Sequence, residues 1–128
     1  MRIGGLQAIT LLDFPGKVAC TIFTKACNFR CHFCHNPELV LPEMLGTTPD
    51  FSLDEFWKFL DERQGFLDAV CISGGEPTMQ ADLSEFIVAL KERGLAFDAG
   101  RVSETRWPYR LHEKACTCSA ACEAEVLR

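Results

Sequence analysis

Ten consecutive residues, 27–36 (CNFRCHFCHN), hold three cysteines, two histidines and two phenylalanines, and no other stretch departs so far from an average composition. The thiols are spaced Cys27-x3-Cys31-x2-Cys34, so a backbone wrapped into one turn can bring all three sulfurs onto one object. Convergent thiolates select soft metal ions or iron–sulfur clusters. Their number narrows the choice. A structural zinc site is closed by four protein ligands, whereas a four-iron cube held by three cysteines leaves one iron open to a substrate or cofactor. The alternative is a zinc site completed by His32, His35 or Cys71. For a cluster three thiols suffice, so His32 and His35 are read as supporting or loop-packing residues and not as ligands.

What surrounds this stretch predicts the fold. Residues 18–23 (VACTIF) are a short apolar run, partly β-branched and bounded by Gly16, which is the pattern of a buried strand. The cysteines therefore follow a strand's carboxyl end, the edge where α/β folds gather their active-site loops. Residues 1–16 carry Gly4, Gly5, Pro15 and Gly16 around short apolar runs, and predict an irregular segment or a hairpin. Residues 37–49, with three prolines and Gly46, predict a loop. At Ser52 a helix begins, with Glu55 completing a capping box and with Leu53, Phe56, Trp57 and Leu60 on one apolar stripe; Gly65 ends it. Residues 69–72 predict a second buried strand that runs into Ser73-Gly74-Gly75-Glu76-Pro77-Thr78. A second helix follows, with Asp82 and Glu85 as a capping box, Leu83, Phe86, Ile87 and Leu90 as its stripe, and Gly94 as its stop. Residues 95–97 start a third strand. This order predicts βαβ units and a parallel sheet with both unusual loops on one rim. Phe56, Trp57, Phe66 and Phe86 are expected in the core, and so are Cys20 and Cys71 as small buried hydrophobes.

Composition excludes several classes. With 128 residues, 48% hydrophobic and 24% charged, the chain reads as one globular domain. The net charge of -5 and the lack of a basic block give no nucleic-acid footprint. No apolar run approaches the roughly 20 residues that span a bilayer, and the amino terminus lacks a secretory pattern, so no membrane role is expected and the expected location is the cytoplasm. In that reducing compartment the eight cysteines point to metal chemistry and not to a disulfide scaffold.

The string CNFRCHFC resembles the signature of the radical S-adenosylmethionine superfamily. With His35-Asn36-Pro37-Glu38-Leu39, the earlier Leu12-Asp13-Phe14-Pro15-Gly16 and the run Ser73 to Thr78, it resembles the activating proteins of glycyl radical enzymes, above all those of anaerobic ribonucleoside-triphosphate reductase; the likeness covers about residues 1–97. The resemblance implies that Cys27, Cys31 and Cys34 hold three irons of a [4Fe–4S] cluster, the fourth being chelated by S-adenosylmethionine. It implies that Phe33 lies against the adenine and that Gly74, Gly75 and Glu76 receive the methionine amino group. Physical chemistry agrees, because glycines admit a ligand close to the backbone and a carboxylate suits an ammonium. The implied activity is an oxidoreductase reaction without a protein general base: one-electron cleavage of the sulfonium gives a 5′-deoxyadenosyl radical that takes a hydrogen atom from a glycine of the partner enzyme. The implied electron donor is a reduced flavodoxin or ferredoxin-type protein.

Beyond residue 97 the likeness lapses. A barrel of eight units takes about 250 residues, so the expectation is a partial (β/α) radical-SAM-type barrel, truncated, with an irregular tail over residues 98–128. In that tail Cys116, Cys118 and Cys122, with Trp107-Pro108-Tyr109, are either a second metal site or cover for the first, or else a segment without a selected fold. The loss of apolar periodicity favours the last. A non-catalytic fragment that retains a metal-binding loop is therefore the alternative to an active enzyme.

Overall fold

The computed structural model describes residues 1–99, so the expectations placed on Trp107 to Tyr109 and on Cys116, Cys118 and Cys122 lie outside the described residues. Among the described residues four strands form one sheet in sequence order: β1 (Ile3–Thr10), β2 (Ala19–Thr24), β3 (Ala69–Gly74) and β4 (Ala96–Ala99). β2, β3 and β4 run parallel, joined through α2 (Leu53–Asp61) and α3 (Leu83–Glu92), while β1 pairs antiparallel with β2. The βαβ reading of the sequence holds. The first sixteen residues resolve to a hairpin arm, and β4 runs past the residue-97 boundary to Ala99.

Alternation along the strands divides the sheet into two faces. Cys20, Ile22, Val70 and Ile72 pack under Phe56 of α2 and Phe86 of α3. Each such fully buried side chain contributes about 1.5–3 kcal/mol over exposure. The helix stripes are those expected: Phe56, Leu60, Leu83, Phe86, Ile87 and Leu90 are buried, and Leu53 and Trp57 are partly so. On the other face Ala19, Ala69 and Cys71 are covered by Phe14 from the β1–β2 connection. Asp13, next to it, is held by a 2.7 Å bond from the Thr21 hydroxyl.

Three local expectations need correction. Residues 37–49 are not wholly loop, because Pro37–Val40 form a short helix, α1. Proline at the first position of a helix has no amide to leave unpaired and a φ already set for the turn. The Ser52–Glu55 capping box forms, but Asp82 makes no cap bond; its carboxylate is taken by the Met1 ammonium, which also holds its pKa below the ordinary value. Phe66 is exposed, not core. α2 ends at Asp61, the chain turns through Gly65 at a φ of 81°, and Leu67 takes the buried position instead. Among the described residues no helix is long and apolar enough to cross a membrane.

Candidate cofactor site

Parallel pairing puts the two unusual loops side by side. Thr24 stands opposite Gly74 in the register of β2 and β3, so the cysteine loop and the glycine-rich turn leave the same rim. They are then bonded together. Three successive carbonyls accept hydrogen bonds from the turn: Thr24 from Gly75 N at 2.8 Å, Lys25 from Gln80 Nε2 at 2.7 Å, and Ala26 from Glu76 N at 2.9 Å. Both glycines are required by this approach. A Cβ on Gly75 would stand 2.1 Å from the Ala26 carbonyl oxygen, and Gly74, at a φ of 99°, would put one 2.5 Å from Thr24 N. Ala26 itself has a φ of 75°, a left-handed conformation costing a residue with a Cβ about 1–2 kcal/mol. Its amide donates to Leu39 O at 2.8 Å, which ties α1 to the same junction.

Lys25, one residue earlier, is 1% exposed. Its Nζ donates to the carbonyls of Leu45 and Thr48 and pairs with Asp50 at 2.8 Å, pinning residues 45–50 against the end of β2. The Lys25 ammonium, with Arg2 adding, holds the Asp50 carboxyl below its ordinary pKa. A depressed carboxylate stabilises the fold above its unfolded pKa and ceases to do so as pH falls through the folded one. Asp50→Asn removes the counter-charge of the buried Lys25 ammonium and should lower stability at neutral pH. Urea midpoints should show that gap closing below about pH 4.

Beyond this junction the cysteine loop carries bonds of its own. Phe29 N donates to Cys27 Sγ at 3.3 Å, Arg30 Nη1 to the carbonyls of Cys27 and Phe29, and Cys34 N to Cys31 O at 3.1 Å. Cys27 is half-buried and Cys34 exposed. Arg30, Cys31, His32 and Cys34 line one side of a cavity of about 270 Å³, facing Val40 and Leu41. Burial pushes the Cys27 thiol pKa up, and the carboxylate of Glu76 adds to the rise, which puts the second loop within electrostatic reach of the first. Glu76 is buried, and its Oε1 accepts from Thr78 N at 3.1 Å and from the Thr78 hydroxyl at 2.6 Å. Phe33 is 60% exposed on the outside of the loop. Cys71 lies three positions before Gly74 on β3, about 10 Å from the rim at strand rise, which sets it apart from the zinc alternative.

The donor chemistry of the loop fits an iron–sulfur cluster. It offers three sulfurs on one short segment, two of them lining a cavity, beside a buried carboxylate. Among the described residues no group of three candidate ligands is already assembled, so holding a cluster would require the loop to close around it.

A parallel strand–helix–strand sheet with a three-cysteine loop and a glycine-rich turn bonded together at its carboxyl rim defines an α/β protein with a candidate cofactor site there. The chain belongs to the Radical SAM superfamily, whose family profile matches residues 21–118. Among its relatives is a Methanocaldococcus jannaschii protein named for glycyl-radical enzyme activation, 36% identical over 93 residues, which cover 72% of this chain and 36% of that one. A pyruvate formate-lyase-activating enzyme of Listeria monocytogenes is 32% identical over 99 residues, 73% of this chain and 38% of that one. One of Staphylococcus aureus is 30% identical over 114 residues, 82% and 44% respectively. The chain thus spans less than half the length of these curated relatives.

Lys25 and Gln80 contribute to the site without belonging to either motif; the one hint in the sequence is a lysine just past the end of a buried apolar strand, two residues before Cys27.

Proposed function

We propose that Cys27, Cys31 and Cys34 hold a [4Fe–4S] cluster and that S-adenosylmethionine binds beside it, against Phe33 and the turn of Gly74, Gly75 and Glu76. When bound, the cluster supplies one electron that cleaves S-adenosylmethionine to methionine and a 5′-deoxyadenosyl radical, the oxidant for a glycine of a partner glycyl radical enzyme. The observation that supports this reading is the bonding of the two loops across the β2–β3 rim, in which the amide of Glu76 donates to the carbonyl of Ala26, the residue before Cys27. The protein's own part is positional. Its cysteines gather the metal, Glu76 offers a carboxylate to an ammonium in a water-poor setting, and Gly74 and Gly75 keep the backbone clear of side chains. The relatives named for activation of glycyl radical enzymes support such an enzyme as partner, and the sequence likeness favours anaerobic ribonucleotide reductase. A reduced flavodoxin or ferredoxin-type protein in an anaerobic cytoplasm would deliver the electron.

Anaerobic reconstitution with iron and sulfide, then dithionite and S-adenosylmethionine, tests the proposal. The expected product is 5′-deoxyadenosine, abolished by Cys34→Ser. A chain that loads iron and sulfide yet yields none is the non-catalytic fragment instead.

A further inference from the structure

The grip on residues 24–26 has an asymmetry. Two of its three donors, Gly75 N and Glu76 N, are main-chain amides that any sequence would supply, but the third is the side chain of Gln80. That side chain is used at both ends. Its Nε2 donates to Lys25 O at 2.7 Å and its Oε1 accepts from Arg2 N at 2.9 Å, so it bridges the end of β2 to the start of β1. A neutral donor and acceptor on one amide group is a property of Gln and Asn alone among side chains, and Asn is one methylene shorter. The bond falls on the residue just before Ala26, whose left-handed backbone turns the chain into Cys27. A conformation that costs energy relaxes unless its surroundings over-determine it.

We infer that Gln80 is a positioning residue for the cysteine loop: through Lys25 O it maintains the turn at Ala26, and so fixes where Cys27 stands relative to Glu76. This rests on the reading of residues 27–34 as the cluster loop, yet the placement of Cys27 can be measured without a cluster.

The test uses the full chain, reduced and metal-free, alkylated with iodoacetamide and followed at each cysteine by peptide mass spectrometry. Gln80→Met removes both bonds and keeps the length of the side chain. Gln80→Glu keeps the acceptor for Arg2 N and loses the donor, which remains informative if the first variant does not fold. In either variant Cys27 should react about fivefold faster, the population change that one hydrogen bond of ordinary net strength controls, while Cys34 keeps its rate. Ser52→Ala, which removes the α2 cap but none of the bonds to residues 24–26, lowers stability and should leave the Cys27 rate unchanged. Unchanged Cys27 rates in both Gln80 variants, or an equal rise in Ser52→Ala, would overturn the inference. In reconstituted samples the electron paramagnetic resonance signal of the reduced cluster should shift in the Gln80 variants, and an identical signal in loaded samples would also overturn it. If the unmodified chain loads no cluster, the proposed function fails, while the alkylation rates still decide the role of Gln80.

Discussion

Among the described glycines, Gly75→Ala is expected to be the most damaging addition of a methyl group. Its Cβ would lie 2.1 Å from the Ala26 carbonyl oxygen and within 3.2 Å of the Thr24 oxygen, both backbone atoms in a paired sheet rim that cannot swing aside as a side-chain tip could. Relief requires the β3 turn to back away from the end of β2, which breaks the bonds from Gly75 N to Thr24 O and from Glu76 N to Ala26 O. Overpacking of this kind costs about 1–3 kcal/mol, and each lost backbone bond about 1 kcal/mol more. A total of roughly 3–5 kcal/mol is a large share of the 5–15 kcal/mol that holds a domain together. At about 4–8 °C per kcal/mol for a domain of this size, the melting temperature should fall by at least about 12 °C. Gly46→Ala is the control, since its Cβ would meet nothing within 4 Å and its φ is not positive. A Gly75→Ala chain that melts together with Gly46→Ala would mean that the rim is looser than its hydrogen bonds indicate.

The sequence reveals one part of this arrangement and hides another. Periodicity places α2, α3 and the parallel strands because a stripe at helical spacing and a short apolar run each have one economical burial. It also puts both loops on one rim, since parallel strands joined by helices leave their carboxyl ends together. The pairing of the loops is different. It is made by main-chain atoms of residues 24–26 and 75–76, and by Gln80, whose partners Lys25 and Arg2 lie 55 and 78 residues away. No local pattern encodes such a contact. The errors have the same origin. Asp82 and Glu85 have capping-box spacing, but the carboxylate of Asp82 finds a stronger partner in the Met1 ammonium across the fold. Phe66 has the composition of a core residue, but it lies past the end of the helix whose stripe would have buried it. Glu76 caps its own short helix, and its carboxylate adds to the rise of the Cys27 thiol pKa.

The two cysteines outside the loop should reveal themselves in alkali. Burial pushes the thiols of Cys20 and Cys71 up from 9.0 to about 12, with the carboxylates of Asp98 and Asp13 adding to the rise at Cys71. The sign follows from proton counting. Above pH 9 the unfolded chain releases these protons while the folded chain keeps them, so their contribution is whole below pH 9 and is lost as pH rises toward 12. Each thiol steepens the decline by about 1.4 kcal/mol per pH unit across that window. Urea midpoints between pH 8 and pH 11 should therefore fall more gently for Cys20→Ala and Cys71→Ala than for the parent, even though each variant starts lower from the loss of packing; parallel profiles would count against burial of the two thiols. The same property bears on metal loading. Iron and its competitors bind thiolate, and near neutral pH Cys20 and Cys71 stay protonated inside the sheet. The burial that makes these two thiols useful to the core thus keeps them out of thiolate chemistry near neutral pH.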